Sequence, residues 1–456
     1  MPTNSSAYFK RLLLNGAAFF LSAFFVASSW AQNADIPPES SDEPSLFPED
    51  FPADGEEINN KWHSNLNELG LTGSLRSGFW SSNRLSDNNN SIGVGSLWLK
   101  YDQRFSGGLS AFVEGYAEHQ GFLDSDYDIS RIKEGYAHLR KGDWDIRAGK
   151  QIIAWGRTDR LNPTDNLTPR DFTLLSPEID EDRFGVNAIK LSKVFGMYSS
   201  LTVAWIPEFE HHTTADIKLA DFSFSKTKTN DSQYAIKFDQ SGGDIDWSVS
   251  YMSGRDLGYD LAITGSSGGT VLVNQNYNKV ETFGADLATI VGSNRYAIEM
   301  AYTRTEDNAG TNYLVKNPFL FTVVGIEHDF GNNLSAIVQG FHNHVMNYQD
   351  PRNISDSTER FVYSLSATGN GQLEQDSFGL SGRVGKKWMN ETLEGELAGS
   401  MLFTGHGYSV RPKLTYAISD SLKATAGYEF YGGASDTVLG ARRKNKAFFS
   451  EIRYFF

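Results

Sequence analysis

The stretch KVETFGADLATIVGSNRYAIEMAYTRTEDNAGTNYLVKNPFLFTVVGIEHDFGNNLSAIVQGFHNH (residues 279–344) divides into four strand-like runs, 279–290, 294–304, 318–329 and 334–344. The first and third links, Gly292-Ser293 and Gly331-Asn332-Asn333, are tight turns, whereas the link between them, 305–317, is long. Outward from this stretch the same order continues. Further runs are expected at 68–80, 92–104, 108–118, 131–140, 143–153, 184–193, 199–207, 232–239, 244–253, 375–386, 391–403, 408–417, 421–431 and 447–456. Links after even-numbered runs are short, such as Ser106-Gly107, Lys141-Gly142, Ser241-Gly242-Gly243 and Ser419-Asp420. Links after odd-numbered runs are long, as at 81–91, 119–130, 154–183, 208–231, 254–278, 345–374 and 432–446, with 404–407 the exception. A soluble sandwich has no reason to sort its connections by length, but a membrane barrel with short periplasmic turns and long outer loops does. The reading is all-β: a transmembrane antiparallel up-and-down β-barrel of about 18 strands, with 16 as the alternative.

The runs alternate as such a barrel requires. Ile245, Trp247, Val249 and Tyr251 alternate with Asp244, Asp246, Ser248 and Ser250, and Leu393, Leu397 and Met401 with Glu394, Glu396 and Ser400. Period two over about ten residues suits a tilted strand crossing a bilayer, apolar outside and polar within. Run 92–104 changes parity between Ile92/Val94 and Leu97/Leu99, which predicts a bulge. Lys150 shares the parity of Trp144, Ile146 and Ala148, so it is expected to snorkel to the outer interface.

Residues 1–31 have the layout of a secretory signal peptide: Lys10 and Arg11, an apolar run from Leu12 to Val26, and Ser29-Trp30-Ala31 before the cleavage point. Residues 32–66 carry Pro37, Pro38, Pro44, Pro48 and Pro52, and the nine acids between Gln32 and Asn60 meet no basic residue. Such a segment buries too little apolar surface to order itself, and reads as a flexible acidic periplasmic segment or a docking or lumen-entering plug. The barrel is assigned to 67–456. The 456-residue chain has no cysteine, so it holds no disulfide and no lipid-anchored cysteine. Its net charge of −15, without a basic cluster, argues against nucleic acid as a partner.

The chain ends Phe448-Phe449-Ser450-Glu451-Ile452-Arg453-Tyr454-Phe455-Phe456, with Phe448, Ile452, Tyr454 and Phe456 on one parity. This resembles the terminal strand of outer-membrane proteins, whose closing aromatic residue is read by the barrel-assembly machinery. The core Gly149-Lys150-Gln151…Trp155-Gly156-Arg157, with Arg411-Pro412-Lys413 and the Gly427–Phe430 strand, resembles stretches of porin-like barrels, including alginate-export-type porins. The chain departs from dedicated alginate exporters in lacking a strongly cationic pattern. The resemblance implies a Gram-negative outer-membrane location, outer-membrane lipid and lipopolysaccharide as surroundings, and room for an inner-membrane or periplasmic transport partner.

The 154–183 link carries charges of both signs, and its Pro and Asn residues suggest a fixed, hydrogen-bonded shape. Either it folds inward and narrows the lumen, with Arg157, Arg160 and Arg170 facing carboxylates, or it stands outside with its ion pairs satisfied internally. On the first reading Arg157, Asp159, Arg160, Asp165, Arg170 and Asp171 are the selectivity candidates. His342 and His344 share a strand face at the outer rim and read as interfacial polar residues; a metal would need a further converging ligand, so none is expected. No cofactor is expected and no Gly-x-Ser-x-Gly elbow is present, so the chain is not read as an enzyme. The expected function is a channel for small molecules. Uptake of hydrophobic compounds, for which Phe172, Leu174 and Leu175 would be suited, is the alternative, and an outer-membrane enzyme or assembly protein the third.

Overall fold

The computed structural model describes residues 70–82, 91–121, 127–434, 437 and 439–456. The signal peptide and the acidic segment lie outside the described residues. Alternation closes the chain into an 18-stranded antiparallel barrel. Its first half comprises β1 (Leu71–Trp80), β2 (Ile92–Arg104), β3 (Leu109–Gln120), β4 (Tyr127–Lys141), β5 (Trp144–Gln151), β6 (Val186–Phe195), β7 (Ser199–Ile206), β9 (Gln233–Gln240) and β10 (Ile245–Arg255). The second half comprises β13 (Lys279–Val291), β14 (Asn294–Thr305), β15 (Phe319–Asp329), β16 (Leu334–Val345), β17 (Asp376–Trp388), β18 (Leu393–Leu402), β19 (Gly407–Ser419), β20 (Leu422–Gly432) and β21 (Ala447–Phe455). Each strand pairs with its neighbour, and β1 pairs with β21 from Ser74↔Phe455 to Trp80↔Phe449, which closes the sheet. Closure leaves no backbone edge to be desolvated in lipid. The 16-strand alternative is thereby excluded.

Outward positions are apolar and exposed, as at Leu75, Trp247, Val249, Leu397 and Ile452. The inward parity carries Arg76, Ser248, Glu396 and Glu451, which are buried or half-buried against the lumen contents. The bulge expected in β2 is absent. Its register against β1 runs unbroken from Leu71↔Tyr101 to Trp80↔Ile92. Ile92 and Val94 face inward instead, where they pack with Trp80, Phe449 and Leu175. A register shift occurs instead on β4, between Glu114 and Gly115 of its partner. Nor does Lys150 reach alone for headgroups, because its ammonium is bonded to Glu210 at 2.8 Å.

Three further strands and a helix lie within the links read from the sequence as long. β8 (Phe222–Lys226), β11 (Asp260–Ser267) and β12 (Thr270–Asn276) form a small sheet in which β12 is central, antiparallel to β11 and parallel to β8. Helix α1 (Ser357–Gly369) follows Asp356, whose carboxylate caps the Thr358 and Glu359 amides at 2.8 and 2.9 Å. Phe361, Val362 and Leu365 of α1 pack with Leu261 and Val273 of the small sheet and with the wall residues Val323 and Phe341. The outer loops therefore share a core with the inner wall and cover one end of the lumen.

Candidate functional site

The link between β5 and β6, residues 152–185, does not stand outside the barrel. Asp159 meets Arg383 of β17 at 3.5 Å, and β17 lies nine strands from β5 in either direction around the closed sheet. The segment therefore crosses the full width of the lumen, as the inward alternative anticipated.

Its first latch is built on Glu299 of β14. Gly156, at φ +108°, brings the chain so close that a side chain there would meet the Glu299 carboxylate at 2.6 Å. The Arg157 and Thr158 amides then donate to one Glu299 oxygen at 3.0 and 3.1 Å, and the Thr158 hydroxyl donates to the same oxygen at 2.7 Å. The Thr164 amide and hydroxyl donate to the other oxygen, both at 2.8 Å. One fully buried carboxylate thus satisfies five loop donors. This explains why the motif needs Gly156 and two threonines: a loop with few backbone partners of its own takes them from a wall carboxylate.

Around this latch the charges pair across the lumen. Arg157 reaches Asp239 of β9 at 2.9 Å and Asp286 of β13 at 2.7 Å, with Asp246 of β10 at 3.9 Å. Its carbonyl accepts from Arg295 of β14 at 2.6 Å. Arg160, held at φ 61°, lies between Asp159 at 3.5 Å and Glu396 of β18 at 3.3 Å, and Arg383 completes the quartet. Asp171 pairs with Arg131 of β4 at 3.0 Å. Asp165 and Arg170 do not meet the wall: they pair within the loop, with Arg183 at 2.6 Å and Asp182 at 2.8 Å. Of the three arginines expected to face carboxylates, Arg157 and Arg160 meet those of the wall and Arg170 meets Asp182 of its own loop. The reason is local, because the 3-10 turn Ile179–Asp182 puts Asp182 within reach first.

The far limb of the loop is fastened by residues outside the selectivity candidates. Glu181 lies between Arg76 of β1 at 2.6 Å and Arg453 of β21 at 3.0 Å. Burial alone would raise its carboxyl, but the two guanidinium groups outweigh that and hold it at about 2. Asp180, beside it, is pushed up by burial to about 7, with Arg170 and Arg183 opposing only in part. Arg411 of β19 donates to the Pro177 carbonyl at 2.7 Å, and Lys413 pairs with Glu178 at 2.9 Å. Both stretches that resemble porin-like barrels thus hold this one loop. The sequence signal for Glu299, Asp286, Glu396 and Arg453 was present, since each is a charge on the inward parity of a spanning strand. What the sequence did not show is which loop residue each would meet.

Above the loop, His212 accepts a hydrogen bond from the Arg170 amide at 3.0 Å. Burial, with Arg170 nearby, pushes this imidazole down to about 3, so it stays neutral and remains an acceptor. Between the loop and the outer cover lies a cavity of about 130 Å³. Arg255, Lys316 and Asp256 line it together with Met252, Val280 and Phe319.

No known family model matches the chain, and no curated protein is significantly similar to it in sequence. Solved structures do share its fold. Pseudomonas aeruginosa OpdK with vanillate is 9% identical with a TM-score of 0.50, over 85% of this chain and 98% of that one. A second structure of the same protein, OccK1 (OpdK), gives 9% identity and a TM-score of 0.51 over the same shares. Acinetobacter baumannii OccAB2 is 12% identical with a TM-score of 0.50, over 85% of this chain and 97% of that one. The chain thus has the porin-like fold of Gram-negative outer-membrane barrels.

Proposed function

We propose that the chain is an outer-membrane channel for small polar or amphiphilic solutes, narrowed by residues 152–185. The observation that carries this reading is the crossing of the lumen by that loop, latched on Glu299 and tied to β17 on the opposite wall. A barrel of this strand number encloses an aqueous passage unless something fills it. Here the filling is polar and charge-paired, so a solute passing it meets arginines and carboxylates together. Such a passage favours solutes that exchange hydrogen bonds over bare ions of either sign. The cavity above it, lined by both charged and apolar side chains, suits a small molecule of mixed character.

Hydrophobe uptake has less support, because the apolar loop residues are already packed. Leu174 sits with Trp98, Tyr116 and Ile129, and Leu175 with Trp80 and Phe449. Phe172 lies against the His212 ring, with centroids 5.2 Å apart.

The test is solute entry into liposomes carrying the purified protein. Swelling in small sugars and amino acids is expected, slowing as solute size increases. Liposomes that swell no faster than protein-free ones would count against a channel.

A further inference from the structure

Outside the lumen, the outer wall carries a polar trio that the channel does not use. His342 and His344 alternate along β16 and so point the same way from the sheet. Strand pairing sets His344 directly opposite Asp376, the first residue of β17. The third ligand that the His-x-His pair lacked in the sequence is thus supplied by a residue 32 positions away. His342 Nε2 and His344 Nδ1 each lie 2.8 Å from the same Asp376 oxygen. All three side chains are exposed on the lipid side, between 38% and 50%.

The level of the trio in the membrane follows from the strand. His344 is ten residues from the start of β16, which begins at a short turn. At a tilt near 40° that places it about 26 Å above the periplasmic turn, at the far edge of the apolar band. Exposed aromatic residues mark that edge, with Phe378 next along Asp376's outward row and Phe403 packed on it at 5.9 Å. The trio therefore faces the headgroup level of the outer leaflet, where water and ions reach it.

The geometry points to a divalent transition-metal site of the zinc type formed by His342, His344 and Asp376. Two imidazole nitrogens and a carboxylate oxygen are a ligand set of that class, three protein ligands with further positions open. Tetrahedral bonds of ordinary length separate ligand atoms by about 3.4 Å. The 2.8 Å contacts must therefore open by about half an ångström, which exposed side chains can do without repacking a core. Zinc, copper and nickel ions suit nitrogen ligands, whereas calcium and magnesium ions do not. The two histidines and Asp376 also stand at the two feet of the link that carries α1. A bound ion would fasten both feet outside the barrel while α1 packs inside it.

The test is titration of tag-free protein in detergent micelles with zinc ions by calorimetry, repeated with cobalt ions followed by visible absorption. A single saturable site is expected in the wild type. His342→Ala, His344→Ala and Asp376→Asn are each expected to weaken it by about a hundredfold, at least the loss seen when supporting groups of metal sites are removed. His328→Ala, on another part of the wall, is expected to leave it unchanged. Heat-dependent gel mobility checks that every variant is a closed barrel, and exposed positions should tolerate these changes. No saturable binding in the wild type would overturn the assignment. Wild-type affinity in the His342→Ala/His344→Ala double variant would overturn it equally.

Discussion

Glu299→Ala is expected to free the lumen loop while leaving the barrel closed. The substitution strands the amides of Arg157, Thr158 and Thr164 and the Thr164 hydroxyl, all of which now donate to that carboxylate, while the Thr158 hydroxyl retains the Leu161 carbonyl as acceptor. A buried donor left without a partner costs about 1–3 kcal/mol, and lumen water will recover part of the sum. A net loss of about 3 kcal/mol still shifts the docked-to-undocked ratio by roughly a hundredfold. Single channels in planar bilayers should then show higher mean conductance and frequent stepwise fluctuation. Glu299→Gln should fall between the two, because its amide nitrogen is turned toward donors that an oxygen now serves. A quiet trace of wild-type conductance from Glu299→Ala would show that the latch is not what holds the loop.

Arg157→Ala is expected to turn the passage cation-selective. The guanidinium is the shared counter-charge of Asp239 and Asp286, with Asp246 at the margin. Without it Asp286 of β13 faces the lumen uncompensated, while Asp239 of β9 keeps only Lys237 at 2.9 Å as counter-charge. A unit charge at about 4 Å is worth roughly 1 kcal/mol even at the dielectric constant of water, about a fivefold gain for a cation and about a fivefold loss for an anion. The reversal potential under a salt gradient should move toward that of the cation, and more so at low ionic strength, where screening is weaker. Arg157→Lys should restore only part of the wild-type value, since one ammonium cannot replace a guanidinium bridging acids on two strands. An unchanged reversal potential in Arg157→Ala would mean that permeating ions do not pass this cluster.

The barrel was legible because its signals repeat. A strand such as β18 shows Leu397 and Met401 outward against Glu396 and Ser400 inward, and the sorting of links orients every strand at once. Local exceptions misled in an informative way. Ile92 and Val94 looked like a parity slip, but apolar residues can face inward where a loop supplies Leu175 to cover them. Helix α1 was missed although Asp356 and Glu359 form an N-terminal signature before Phe361, Val362 and Leu365. One and a half apolar turns inside a long link are hard to tell from chance. For the site, the loop's composition pointed to Arg157, Asp159 and Arg160, but their partners are 80 to 240 residues away in the chain. Parity assigns such residues to the lumen and is silent on which of them meet. The same holds for Asp376, whose approach to His342 and His344 needed the β16–β17 register.

The most direct measurement compares single-channel conductance of the wild type with that of a variant lacking residues 158–180, in the same bilayer and salt. If the loop narrows a continuous passage, the deletion should conduct severalfold more and admit larger solutes, while still migrating as a closed barrel. Equal conductance in the two proteins would contradict a lumen set by this loop.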